Sequence, residues 1–185
     1  QSTISRIGVE DPSLIVTAGK NSDSNSKDNP VAKRIIAGVA CDSVMLFGNN
    51  TQSLKASQML VTTSDSRHDS SAIKLAADTA ECVKGVAKVV QVEATAGEQA
   101  VEVCERSLRA MLRELQLEES KRLQVKAVVG GDEEQAITDE ANEADIIFVG
   151  VNRECDVPKY LQAAGNPCVA VVQQAPHFSF GRSMF

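Results

Sequence analysis

Ala144–Arg153 (ADIIFVGVNR) and Val157–Val172 (VPKYLQAAGNPCVAVV) decide the reading of this chain. Each holds an apolar run of strand length, Asp145–Gly150 in the first and Cys168–Val172 in the second. Between the two runs, Asp156–Ala164 reads as a short helix. Strand, helix, strand in that order is a βαβ unit, and its two strands lie parallel because the helix carries the chain back to the starting edge of the sheet.

The pattern continues upstream. Met59–Thr63 (MLVTT) reads as a strand, Ser64–Asp69 as a polar turn, and Ser70–Lys84 as a helix with Ile73, Ala76, Ala77, Ala80 and Val83 on one face. Val86–Val92 is the next strand. Gly97–Leu117 is the strongest helix, with an apolar stripe of Val101, Cys104, Leu108, Met111, Leu112 and Leu115. Leu123–Val129 reads as a strand and Gly131–Glu143 as an acidic helix turning Ala136, Ile137 and Ala141 inward. Strands alternating with helices predict an α/β fold, a five-stranded parallel doubly wound sheet.

The opening of the chain repeats its end. Pro12–Asn21 (PSLIVTAGKN) matches Ala144–Arg153, and Val31–Phe47 (VAKRIIAGVACDSVMLF) matches Val157–Val172. Both copies open their helix with Val-x-Lys and carry a cysteine near the closing strand, Cys41 in one and Cys168 in the other. The chain therefore divides into a partial β-α-β copy (1–50), a linker (51–57), a complete domain (58–174) and a tail (175–185). Asn29 and Pro30 read as the start of the first copy's helix. A lone β-α-β cannot bury both faces of its strands, and the chain starts with Gln1, so it is expected to be part of a longer protein.

Composition removes several function classes. In 185 residues, 43% are apolar and 24% charged, which is globular. Nineteen Lys and Arg against 25 Asp and Glu give a net charge of −6. No cation excess exists to displace phosphate counterions, so no nucleic-acid partner is expected. With no Trp and one Tyr, there is also little to stack on bases. No run approaches the roughly 18 apolar residues of a membrane span. Five cysteines without a CxxC pair fit a reducing, cytoplasmic setting, Cys155 alone lying in a polar loop.

Four stretches resemble the universal stress protein family. Met59–Ala76 (MLVTTSDSRHDSSAIKLA) looks like its first strand, acidic turn and first helix. Gly130–Ile137 (GGDEEQAI) looks like its Gly-Asp-x-x-x-x-Ile opening of the third helix. Asp145–Gly150 looks like its fourth strand, and Pro167–Val172 (PCVAVV) like its closing strand. The resemblance implies a universal-stress-like fold of the adenine nucleotide alpha hydrolase type, pairing through the last strand, and ATP or AMP at the carboxyl edge of the sheet. It also implies tandem copies, and copies that serve as soluble tails of transporters. Carried onto this sequence, the candidate nucleotide-binding residues are Asp65 (or Ser64) for ribose, Val128 with Val129 over adenine, and Gly131, Gly150 and Arg153 around the phosphates.

The phosphate loop departs from the family pattern of Gly-x-x-Gly, nine residues, then Gly-Ser or Gly-Thr. Gly150 takes the first position, but Arg153 takes the second, and Ala163-Ala164 stand where Gly-Ser or Gly-Thr belongs. Arg153 offers a guanidinium fork in place of backbone donors. In the first copy Ala18 replaces the first glycine. The loops therefore read as degenerate, with no cofactor expected and ATP or AMP as the alternative.

No other catalytic or metal-binding arrangement emerges. His68 sits in the turn after the first strand of the complete domain, and His177 lies in the tail. Two histidines without ligand-spaced cysteines do not make a zinc site, and no Gly-x-Ser-x-Gly elbow occurs. Asp132 reads as a helix N-cap, and Asp132–Asp145 lacks the glycine and spacing of a calcium loop. The sequence thus predicts a non-enzymatic regulatory or scaffolding module, cytoplasmic and attached to a protein such as an amino-acid or ion transporter. The alternative is a stand-alone nucleotide-binding stress protein. Ser43–Gly48 and Cys168–Val172 are expected to pair, either within one chain as a pseudo-dimer or between two chains, because each is otherwise an open edge.

Overall fold

The computed structural model describes residues 14–18, 41–48, 56–63, 66–93, 98–129, 133–152, 157–163 and 167–175. The first copy's helix, Asp65, Gly131, Asp132, Arg153, Cys155, His177 and the tail beyond Ala175 lie outside them. The elements in chain order are β1 (Leu14–Ala18), β2 (Asp42–Phe47), β3 (Gln58–Thr62), α1 (Arg67–Val83), β4 (Val86–Glu93), α2 (Glu98–Glu114), β5 (Leu123–Val129), α3 (Glu133–Asn142), β6 (Ile146–Gly150), α4 (Val157–Tyr160) and β7 (Cys168–Gln173).

One seven-stranded sheet runs in the order β1-β2-β7-β6-β3-β4-β5. The five strands from β7 to β5 are all parallel, which is the doubly wound sheet read from the sequence. Its two faces carry separate cores. Met59, Val61, Ala72, Ile73, Ala76, Leu108, Leu112, Ile146 and Phe148 pack on the α1/α2 face. Leu60, Val90, Ile137, Ala141, Ile147, Val149, Val157 and Tyr160 pack on the α3/α4 face. Successive residues of β3 and β6 alternate between the two clusters, as the period of a strand requires. Burial on both sides explains why Ile146–Gly150 reads as an unbroken apolar run.

Helix α1 starts three residues before the predicted Ser70. Ser66 is its N-cap: the Ser66 hydroxyl accepts from the His68 N–H at 3.1 Å, and the Asp69 carboxylate accepts from the Ser66 N–H at 2.9 Å. This reciprocal capping box converts the expected turn into the first helical turn. The helix ends at Lys84, which takes the left-handed conformation (φ 59°), so Val83 points to solvent rather than joining the stripe. Cys82, one residue earlier, is also exposed.

Strand β2 runs antiparallel to β7 and joins the partial copy to the complete domain. The β1/β2 and β6/β7 ladders are of the same length, five pairs each. Met45 pairs with Val171, Val44 with Val172 and Leu46 with Ala170. Leu14 pairs with Asp42 as Ile146 pairs with Cys168, and Ala18 with Leu46 as Gly150 with Val172. Laying one ladder on the other sets β1 against β6 and β2 against β7, with Met45 against Val171. In that alignment Asp42 stands against Cys168, one residue from the Cys41–Cys168 match of the sequence. Strand pairing aligns the copies by hydrogen-bond register, whereas the cysteines aligned them by residue type.

Candidate functional site

The chain leaves β3 toward β4 on one side and later returns to place β6 on the other. The β3/β6 junction is therefore the topological switch point, where loops beyond the carboxyl ends of an open parallel sheet form a crevice. Gly150 ends β6 there. A Cβ on Gly150 would lie 2.6 Å from Asn152 Oδ1, 2.9 Å from Asp69 Oδ1 and 3.0 Å from His68 Cβ. The glycine is required by the chain's own packing. Asp69 is 0% exposed, and the Ser66 hydroxyl, besides accepting from His68, donates to Asn152 Oδ1 at 3.2 Å.

The start of α1 is also tied to the exit of β7 and the start of β2. His68 Nδ1 accepts from the Gln174 N–H at 3.2 Å. Asp42 Oδ1 accepts from the Ala175 N–H at 2.7 Å, and Asp42 Oδ2 from the Ser71 hydroxyl at 3.2 Å. Because Nδ1 accepts, the neutral imidazole carries its proton on Nε2. Antiparallel pairing brings Asp42 to the carboxyl edge, since the first residue of β2 lies beside the last residues of β7.

Of the sequence-predicted site residues, the structure describes Val128, Val129 and Gly150; Ser64, Asp65, Gly131 and Arg153 lie outside the described residues. Val128 is half-buried against the α3/α4 core, while Gly150 abuts α1 on the opposite face. Strands β3 and β4 stand between them, so at about 4.8 Å per strand step their strands are roughly 14 Å apart. They are not brought into contact. The residues that do converge on Gly150, namely Ser66, His68, Asp69 and Asn152, were not read as a group. The signal for two of them was the Ser-x-x-acid spacing of Ser66 and Asp69. Two buried hydroxyls near the same edge, Ser43 and Thr62, have no hydrogen-bond partner among the described residues.

The far end of the sheet holds an ion cluster. Glu140 on α3 accepts from Lys88 at 2.8 Å and from Lys126, bridging β4 and β5. Burial pushes the Glu140 pKa up, but the lysine hydrogen bonds and charges outweigh it and hold it below the usual range. The cluster borders a cavity of about 320 Å³ lined by Gln58, Met59, Leu60, Lys88, Glu140, Glu143 and Ala144. Among the described residues, no group of three or more His, Cys, Asp or Glu side chains is placed to hold a metal ion. None of the described helices is long and apolar enough to cross a membrane.

A parallel sheet with helices on both faces and its switch point at β3/β6 defines an α/β protein of the doubly wound class. Its fold is that of universal stress proteins. A universal stress protein from Archaeoglobus fulgidus superimposes with a TM-score of 0.56 at 17% identity, over 94% of this chain and 66% of its own. A putative universal stress protein from Pseudomonas aeruginosa superimposes with a TM-score of 0.55 at 14% identity, over 92% and 66%. A functionally unknown protein from Pseudomonas aeruginosa gives 0.51 at 15% identity, again over 92% and 66%. The chain thus spans slightly under two thirds of these structures. Neither a family model nor a curated protein matches the sequence.

Proposed function

We propose that this chain is a non-enzymatic regulatory or scaffolding module whose nucleotide crevice is closed by its own side chains. In this reading it is the cytoplasmic part of a larger protein such as an amino-acid or ion transporter. The observation that carries the closed crevice is the crowding at Gly150. A phosphate at a switch point needs free N–H donors and room at the backbone. Here the His68 and Ser66 amides are committed to the capping box, and the Asp69 carboxylate stands beside the glycine. An anion entering that position would meet a buried like charge, and repulsion is strong where water is excluded. The Ser71 hydroxyl donates a hydrogen bond to Asp42, tying α1 to the start of β2. The transporter parent and the cytoplasmic setting are supported by the family resemblance; a reading frame without membrane-spanning segments would remove the former.

Calorimetric titration with ATP, AMP and a cyclic dinucleotide, with and without magnesium, tests the closed crevice. The expected result is no binding tighter than about 1 mM, or −4 kcal/mol. Micromolar binding of any of them would overturn the proposal in favour of a stand-alone nucleotide-binding protein using Asp65, Val128, Gly131, Gly150 and Arg153.

A further inference from the structure

Beyond the end of β7, two consecutive main-chain amides are held by side chains. The Gln174 N–H donates to His68 Nδ1 at 3.2 Å, and the Ala175 N–H donates to Asp42 Oδ1 at 2.7 Å. The acceptors belong to different elements, α1 and β2, and lie 106 and 133 residues from the amides they hold, so neither bond is a local turn. Both acceptors are themselves anchored. The His68 N–H is on the Ser66 hydroxyl, and Asp42 Oδ2 takes the hydroxyl of Ser71, one turn along α1. His68 is only half-buried, which leaves its ring within reach of protons from solvent. The two acceptors differ in chemistry. A neutral imidazole has one ring lone pair, and once that nitrogen is protonated it is a donor facing the donor it had held. A carboxyl group keeps lone pairs on its oxygens in either protonation state.

We propose that the exit of β7 is an acid-released latch: protonation of His68 at Nδ1 ends its bond to the Gln174 amide, while the Ala175 amide stays on Asp42. An ordinary imidazole takes its proton near about pH 6.5, so the latch is closed above the imidazole's midpoint and open below it. The charged groups around His68 are Arg67 and Asp69, its neighbours in sequence on α1, and Asp42 from β2. Gly150, which approaches its Cβ from β6, and Gln173 and Gln174 at the end of β7 carry no charge. The carboxylates favour an imidazolium, and the positive end of α1 opposes it. These influences move the midpoint, but none of them restores a lone pair to a protonated Nδ1.

Nuclear magnetic resonance of the 185-residue chain between about pH 7.5 and 4.5 tests the latch, following the His68 ring nitrogens and the Gln174 and Ala175 amides together. The Gln174 amide shift is expected to move with the same midpoint as the ring. Its exchange protection, corrected for the intrinsic pH dependence of exchange, should fall about five- to tenfold, the worth of one net hydrogen bond, while that of Ala175 holds. His68→Asn offers an amide oxygen near the place of Nδ1 and does not titrate, so it is expected to abolish the step and keep Gln174 protected throughout. A ring that titrates without moving the Gln174 amide would overturn the proposal. So would a ring that stays neutral down to pH 4.5, or a step that persists in His68→Asn. The wild-type titration is decisive even if the variant does not fold: unchanged circular dichroism across the step is expected, and its loss at the same midpoint would overturn the latch in favour of general acid unfolding.

Discussion

Strands β1 and β6 carry matching sequence, pair in parallel with β2 and β7 in ladders of equal length, and end in opposite surroundings. Phe148 is locked between α1 and the sheet, while Val16 looks outward. The strand sequence supplies the capacity for burial, and the neighbouring elements decide whether it is realised. One copy is a core strand with helices on both faces; the other is an edge whose apolar face is uncovered on the α1 side among the described residues. A repeat in sequence therefore does not guarantee a repeat in energetics.

The largest expected effect breaks this comparison directly. Phe148→Ala empties a site in the α1/α2 core and should cost about 3–5 kcal/mol, whereas Val16→Ala should stay within about 0.5 kcal/mol. Urea unfolding midpoints of the two variants measure the contrast. Equal losses would mean that β1 is covered in solution.

Next is the last residue of each strand, Gly150 in β6 and Ala18 in β1. Gly150→Ala should destabilise by about 1–3 kcal/mol, because its Cβ would overlap Asn152 and approach Asp69. Adding Asn152→Gly should recover part of that loss by removing the nearest atom. A neutral Gly150→Ala would show that the crevice is open, and with it the argument against a phosphate there would fall.

A smaller effect belongs to the complete domain. Glu140→Gln removes a carboxylate shared by Lys88 and Lys126, and with Lys126 half exposed the loss should be only about 1 kcal/mol. The sign with pH follows from the lowered folded-state pKa. The contribution is fully present above the unfolded value of about 4.3 and is lost as pH falls through the lower folded value. Wild type and variant should therefore differ at pH 7 and converge toward pH 3 in thermal melts.

Much of this fold was legible because its signals are local and periodic. The five strands and four helices from β3 onward follow from apolar spacing, and their ends were missed by only a few residues. The start of α1 was missed because Ser66 and Asp69 also suit a turn, and only the completed capping box distinguishes the two. The site was far less legible. Its convergent residues come from α1 and the ends of β6 and β7, which are distant in sequence and meet only through strand order. Asp42 is the sharpest case: its place at the carboxyl edge follows from antiparallel pairing with β7, which no local pattern of residues 41–48 encodes.

The smallest prediction concerns reactivity rather than stability, and again separates matched positions by surroundings. Burial pushes the Cys168 thiol above its ordinary range; burial, then Glu93 and Glu105, push up Cys104. Cys82 is exposed at the end of α1. Thiolate is the reactive species, so at pH 7.5 a maleimide should label Cys82 well before Cys104 or Cys168. Peptide mapping at partial modification reads the order. Cys41 sharpens the comparison: it lies one residue before Asp42, the first residue of β2, and its labelling rate reports how tightly the start of β2 is held against β7. Rapid labelling of Cys168 at native pH would mean that the β2–β7 end around Gly48 opens readily, since the Cys168 sulfur lies only 3.7 Å from where a Gly48 Cβ would sit. That outcome would place the weak point of the sheet at the junction between the copies instead of at the edge of β1.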